Sequence, residues 1–431
     1  MLARNHVGGW TKPAPRLYPH QWSWDAAFIS IGLTHHDPDR ALRELEHLFG
    51  AQWADGRVPH IVFDPRVPDY WPGPELWASA ASSPLAPRAP ATSGLIQPPM
   101  HAIAVWRILE LGTASERFRD RVGRLYPKLV AWHRYLAEKR DPENSGLITV
   151  YHPWEGTDNT PRWDQALLRL EPGVLTAYTR TDTTLVGADE RPSSAEYDRY
   201  LWLVGLLREL GYDDASIQRS HPFRIKDVQC SAIFAAACGS LERIAEVVGA
   251  PREERAEITE WRSRAADAVM RAWDDELGLA LDFDLVSGEP IRVLTSAGLS
   301  ILLVPGLRPD LAQRVRETAF GPDFAGGADL LFPVLLSTGL RSPEFRSRAY
   351  WRGPTWPVVN WLIWWGMVGQ GMTRPAAALR EANLGLLSRP GAKFAEYFEP
   401  FTGEPLGSID QSWTAAVALD WLAAQPAEPV A

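Results

Sequence analysis

Cysteine, basic charge and long apolar runs are all scarce in this chain of 431 residues. The net charge is -9, which excludes nucleic acid as a partner, because a polyanion needs a basic face. The most apolar stretch, Trp356 to Val368, is broken by Pro357 and Asn360 and falls short of the ~20 residues that cross a bilayer, so no membrane partner is expected. From Met1 to Trp10 no apolar run appears, so a signal peptide is not expected. The only cysteines, Cys230 and Cys238, share a helical segment about 12 Å apart along its axis, too far to bridge. They read as buried thiols in a reducing cytoplasm.

Ligand motifs are missing too. The ten histidines include only the His35-His36 doublet, with no HExxH, cysteine pair or phosphate-cradling glycine loop, so neither metal nor cofactor is expected. No Gly/Ser-rich or charged linker divides the chain, which reads as one layered domain over 1–431 with long loops inserted at about 51–96, 141–194 and 390–410. A homo-oligomer is compatible with this composition.

What the chain does have is helical periodicity. Segments are expected at 25–34, 39–49, 97–112, 115–139, 195–212, 225–249, 251–273, 296–305, 309–320, 355–370, 373–389 and 411–424. Ile258, Trp261, Ala265, Ala268 and Ala272 form one apolar stripe, the mark of an outer helix. Gln411 to Leu422 and Ser231 to Ala237 are apolar nearly all round, as inner helices would be. Sequential pairs of this kind imply an all-α fold, a double-layered toroid or (α/α)6 barrel of six hairpins. Loops as long as those named are usually functional.

Two of those loops carry carboxylates among aromatic and amide side chains: Trp154-Glu155-Gly156-Thr157-Asp158-Asn159-Thr160-Pro161-Arg162-Trp163, and Glu396-Tyr397-Phe398-Glu399-Pro400. Cleaving a glycosidic bond takes one carboxyl to protonate the leaving oxygen and another to handle water, with flat aromatic faces beneath the sugar. Twenty tryptophans supply such faces. Asp158, screened by Trp154 and Trp163, can keep its proton through desolvation. Asp-Asn-Thr-Pro is equally good turn chemistry, and Glu155 and Asp164 are rivals. In the second loop Glu396, Glu399 and Glu404 all fit a base. Asp25, after Trp22-Ser23-Trp24, can hold sugar hydroxyls or cap its helix. Tyr350, Trp351 and Trp356 can stack on a ring or belong to the core. Arg191 can grip a carboxylate bidentately or stand in solvent.

In order along nearly the whole chain, Trp22-Ser23-Trp24-Asp25, Gln97-Pro98-Pro99, Asp158 to Asp164, Glu396-Tyr397-Phe398 with Thr402-Gly403-Glu404, and Gln411-Ser412-Trp413-Thr414-Ala415-Ala416 resemble glycoside hydrolase family 63. The resemblance is to its short bacterial branch of mannosylglycerate and glucosylglycerate hydrolases. It implies an inverting α-glycosidase on an (α/α)6 barrel with no required metal, acting on a small glycoside whose aglycone bears a carboxylate. By the same resemblance Asp158 is the general acid and Glu396 the general base. Trp22, Trp24, Asp25, Trp154, Tyr350, Trp351, Trp356 and Gln411 line the hexose subsite, and Gln97 sits at its junction with the aglycone. Tyr70, Arg191 and Tyr197 hold the glycerate, and Tyr18 and His60 belong to loops that close over it. The family usually reads Trp-Glu-Ser-Gly-x-Asp, one residue longer than Trp154 to Asp158; Asn159 to Trp163 downstream fixes Asp158 as the match.

Three other readings are open to a sequence of this kind. A trehalose- or oligosaccharide-cleaving (α/α)6 glycosidase would give Arg191 no anionic partner. A terpenoid cyclase needs DDxxD-type motifs, which Asp213-Asp214 and Asp274-Asp275 do not complete. A non-catalytic carbohydrate-binding protein has no use for two buried carboxyls. For inversion the two carboxyl groups are expected roughly 6.5 to 9.5 Å apart, against about 5 to 5.5 Å for retention.

Overall fold

The structure, a computed structural model, describes residues 1–111 and 116–424. The expected helix ends at 112 and 115 fall outside the described residues. The long helices are α1 (Ser23–Thr34), α2 (Pro38–Gly50), α3 (His101–Leu111), α4 (Glu116–Lys139), α5 (Ser194–Glu209), α6 (Val228–Val248) and α7 (Arg252–Arg271). A 3-10 segment, Ser296–Leu303, comes next, then α8 (Pro309–Ala319), α9 (Pro357–Gly369), α10 (Thr373–Leu387) and α11 (Ser412–Ala423).

Local chemistry sets the starts. Asp37 caps α2 through the backbone N–H of Arg40 at 2.9 Å, with Pro38 in the first turn. Asp227 caps α6 through Cys230 N–H at 2.6 Å, and Gly249 closes it at φ 69°. Two helices begin three or four residues later than periodicity suggests. Pro98 and Pro99 delay α3 to His101, and Ile225–Lys226 is drawn into a sheet before α6 can start.

Six segments form the inner wall, each packed on the next: α1, α3, α6, Ser296–Leu303, α9 and α11, which returns to α1. Every residue of α1 and of Ser296–Leu303 is buried, as two-sided packing requires. Helices α2, α4, α7, α8 and α10 back the ring. In α7 Ile258, Trp261, Ala265 and Ala268 are buried, and Ala272 just beyond it is half-buried.

Pairing departs from the expected six hairpins at α5. This helix packs on the short turns Pro74–Trp77 and Ser79–Ser82, over the mouth of the ring. Its Tyr200 and Leu203 are buried with Trp163, Phe223 and Ile225, in a cluster separate from the barrel core. Among the described residues the ring therefore has five outer helices, and α11 is met at its N-terminus by the start of the chain, where Ser412 N–H donates to Pro13 O at 2.7 Å.

The long loops carry short strands. β1 (Gln21–Trp22) pairs antiparallel with β2 (Ile61–Val62). β3 (Thr149–Val150), β4 (Ile225–Lys226), β5 (Asp282–Asp284) and β6 (Glu289–Ile291) make an antiparallel sheet in that order, and β7 (Tyr397–Phe398) pairs with β8 (Pro405–Leu406).

The ring closes where α1 crosses α11. A Cβ on Gly32 would lie 2.4 Å from the Cα of Ala416, so only hydrogen fits there. Gly32→Ala should cost about 1–3 kcal/mol by overpacking, read from the denaturation midpoint, and adding Ala416→Gly should recover part of it.

Candidate active site

The N-terminal ends of α1, α9 and α11 and the loops before them surround a cavity that is open to solvent. α1 contributes Trp24 and Asp25 from its first turn. The loop after β3 contributes Trp154, Gly156 and Asp158, the turn before α9 contributes Tyr350 and Trp351, and Gln411 and Trp413 come from the start of α11.

Asp158 and Glu396 both line this cavity. Burial raises Asp158 to about 7; Arg191 opposes the rise and Glu396 adds to it. Burial also raises Glu396, against Arg191, the Ser408 N–H and the Tyr18 hydroxyl, which stabilise its ionised form. Tyr18 Oη donates to Glu396 Oε1 at 2.8 Å, and Ser408 N–H donates to Oε2 at 3.0 Å. Asp25 also faces the cavity, held well above the carboxylate range by burial and by the charge of Glu396.

The rival carboxylates are engaged elsewhere. Glu155 is buried in a bidentate pair with Arg140 at 2.7 and 2.9 Å and accepts from the N–H groups of Tyr151 and Ile96. Burial alone would raise it, but Arg140 and these donors bring it below its ordinary range. Asp164 pairs with Arg352, Glu399 accepts from the N–H groups of Phe401 and Thr402, and exposed Glu404 pairs with Arg348.

The Asp158 loop is clamped from two sides. Arg162 is pinned by Asp227 and Asp282 and donates to Thr157 Oγ1 at 2.8 Å. Arg352 donates to Asn159 Oδ1 at 3.0 Å, and Tyr200 Oη accepts from Asn159 N–H at 3.1 Å. Asn159 has φ 63°, a left-handed conformation that asparagine tolerates. Trp154 reaches the cavity while Glu155 turns away from it toward Arg140.

Arg191 also lines the cavity. Its guanidinium stacks 4.3 Å over the Tyr350 ring and donates to Tyr18 Oη at 3.1 Å. Tyr70, Tyr197, His60, Trp22 and Gln97 share the lining. Gln97 Oε1 accepts from Trp24 N–H at 3.2 Å, and the Gln411 amide bonds Ser408 Oγ at 2.7 Å. Burial lowers His60 well below its usual value, and its Nδ1 meets Ser93 Oγ at 2.7 Å, so it is neutral at pH 7.

One expected lining residue stands outside. Trp356 is 1% exposed and stacks flat behind Trp351, with centroids 3.7 Å apart and planes within 4°, because the turn before α9 points Trp351 inward first. It braces the Trp351 ring from behind without itself lining the cavity. Sequence reasoning missed Leu17, Trp71, Pro72, Trp77, Thr181 and Asp182, all on the lining. Trp71-Pro72 and Thr181-Asp182 lie inside loops already marked by their length, but no spacing singles them out.

Among the described residues no group of three or more His, Cys, Asp and Glu could hold a metal ion, and no helix is long and apolar enough to cross a membrane. The profile of the mannosylglycerate hydrolase MGH1-like glycoside hydrolase domain matches residues 18–414. The chain belongs to this glycoside hydrolase family. It is 44% identical to the glucosylglycerate hydrolase of Mycolicibacterium hassiacum over 98% of this chain and 96% of that protein. With the mannosylglycerate hydrolase of Thermus thermophilus it shares 41% identity over 98% of both chains. A crystal structure of the family 63 mannosylglycerate hydrolase from Thermus thermophilus, in complex with Tris and D-glycerate, superposes with a TM-score of 0.90 at 40% identity, covering 98% of each chain. Yeast neutral trehalase, at 15% identity and TM-score 0.56, shares the fold alone. The glycosidase thus has the (α/α)6 barrel of its family, and the terpenoid cyclase and non-catalytic readings fall away.

Arg140→Met should show what holds the Asp158 loop of this hydrolase. It strands Glu155 without a counter-charge in a buried site, and a loss of about 3–5 kcal/mol in unfolding free energy is expected. Glu155→Gln in the same background should recover part of that loss.

Proposed function

We propose that this enzyme hydrolyses α-hexosylglycerates of the gluco or manno series to hexose and glycerate, with inversion at the anomeric carbon. The observation that carries this reading is that one cavity holds two raised carboxyls, Asp158 and Glu396, together with a buried guanidinium, Arg191. A neutral disaccharide such as trehalose offers that guanidinium no counter-charge.

In this reading Asp158 is protonated and gives its proton to the oxygen leaving the anomeric carbon. Glu396, ionised and held by Tyr18 and Ser408, takes a proton from the water that attacks the opposite face. The product is first the β-hexose, with no covalent intermediate. Trp351 underlies the sugar, and Asp25 and Gln411 bind its hydroxyls. The glycerate carboxylate lies against Arg191, flanked by Tyr70 and Tyr197, and Tyr18 and His60 close over it. The chain acts as a single catalytic domain whose inserted loops build the cap, and the unpaired, buried Cys230 and Cys238 suit a reducing cytoplasm.

Release of hexose from mannosylglycerate, glucosylglycerate, trehalose, maltose and kojibiose tests the substrate. Hydrolysis of the two glycerates is expected, and hydrolysis of trehalose alone would overturn the reading. Asp158→Asn and Glu396→Gln should fold and lose at least ~10²-fold in rate. Proton NMR of fresh product should show the β-anomer, whereas the α-anomer first would mean retention.

The pH profile follows from the same two groups. kcat/KM should be bell-shaped, falling on the alkaline side near pH 7 as Asp158 loses its proton. Residual activity of Glu396→Gln should lose the acid limb, and its alkaline limb should move down, because removing a neighbouring negative charge eases ionisation of Asp158. An alkaline limb that stays in place would separate the two carboxyls electrostatically.

A further inference from the structure

A row of alternating charges runs from the cap into the cavity, and the proposed chemistry uses only its inner end. Arg180 donates to both oxygens of Asp182, at 3.0 and 2.6 Å, and its guanidinium lies 4.4 Å from the Tyr197 ring centre. Asp182 Oδ2 then accepts from Arg191 Nε at 3.3 Å. Arg191 Nη1 donates to Tyr18 Oη, which donates to Glu396 Oε1. The three cap residues are largely buried, with side-chain exposures of 9% for Arg180, 13% for Asp182 and 8% for Arg191.

Arg191 therefore sits between two carboxylates and is drawn to both. Asp182 holds it directly, and Glu396 is one hydroxyl away. Without the outer carboxylate, Glu396, one hydroxyl away through Tyr18, is a ready counter-charge for the buried guanidinium. A direct Arg191–Glu396 pair would lower the basicity of that carboxylate and fill the space where water must stand. It would also turn the guanidinium away from the aglycone.

We propose that Asp182 is a positioning residue of the aglycone subsite, holding Arg191 on the cap side of Tyr18 and so keeping it off Glu396. The proposal rests on the reading above, in which Arg191 receives the glycerate carboxylate and Glu396 is the base. The groups facing Glu396 are Tyr18 and Asp25 from the N-terminal segment, Asp158 from its loop, Arg191 from the cap, Tyr350 before α9, and Tyr397 and the Ser408 N–H from its own hairpin. Of these, only Arg191 carries positive charge.

Asp182→Asn in the full-length enzyme is the direct test, with α-hexosylglycerate and the matching neutral α-hexosylglycerol as paired substrates. KM for the glycerate should rise at least about tenfold, the loss of one charge-assisted hydrogen bond. KM for the glycerol glycoside should change much less. The acid limb of kcat/KM should move to lower pH for both substrates, because an approaching guanidinium stabilises ionised Glu396. Asp182→Glu, which keeps the charge, should restore most of both effects. An unmoved acid limb, or equal losses on the two substrates that Asp182→Glu does not restore, would make Asp182 a mere brace of the cap and overturn the proposal. Arg191→Ala, run in parallel, separates the two layers of argument. If it weakens both substrates equally, the carboxylate reading of the subsite fails, and the acid limb of Asp182→Asn still decides whether Asp182 restrains Arg191.

Discussion

Closure of the ring by its first and last inner helices is the constraint on which everything else rests. Trp24 and Asp25 open α1, while Glu396, Gln411 and Trp413 lie just before or at the start of α11, so they share one cavity only because these helices pack together. The rings of Trp24 and Trp413 meet edge to face, with centroids 5.5 Å apart. Deeper in the wall, Asp420 of α11 ties the seam: it bonds His35 after α1 at 2.8 Å, Arg107 of α3 at 2.9 Å and the Trp361 indole of α9 at 2.9 Å. A buried carboxylate with three donors from three neighbouring elements is satisfied only in the closed arrangement, so it fixes the register of closure as well as its strength.

Closure brings its own electrostatic problem. Asp25, Asp158 and Glu396 all face one cavity whose walls are largely aromatic, and burial pushes all three upward. Like charges in such a place cannot all ionise at once. Arg191 relieves part of the strain on Asp158 and Glu396. Two carboxyls of different local support, one near 7 and one stabilised by a hydroxyl and a backbone N–H, are what divided acid and base duties require. Hydrogen-bond donors add to the asymmetry: Glu396 has two close ones, Tyr18 Oη and the Ser408 N–H.

Much of this was legible in the sequence because the signals are local. Apolar periodicity identified inner helices such as α11 and outer ones such as α7, and loop length marked the segments that build the cap. The helix α5 was visible as a helix, but its place was not. Its apolar face looks like that of any outer helix, and only the neighbours Trp163, Phe223 and Ile225 draw it over the mouth. Separating Asp158 from Glu155 and Asp164 was likewise beyond local chemistry, since it depends on Arg140, 15 residues from Glu155, and Arg352, 188 residues from Asp164, claiming the other two. The order of Trp351 and Trp356 was out of reach for a related reason: both residues suit a flat platform, and only the turn between them sets which ring lies in front.

The two halves of the cavity are built to different degrees of rigidity. The loop of Asp158 is fastened by buried ion pairs, Arg140–Glu155 and Arg162 with Asp227 and Asp282, which resist displacement because any open form strands a charge. The side bearing Arg191 hangs on the cap segment 171–191, whose residues are mostly half-buried or exposed and whose Val174 projects fully into solvent. In the proposed reading this puts the reacting groups on rigid elements and aglycone recognition on a looser one, so that a substrate enters without disturbing the former. On the same reading the Arg191 side can change by substitution while Asp158 and Glu396 stay where the barrel holds them, provided the guanidinium keeps a partner of its own.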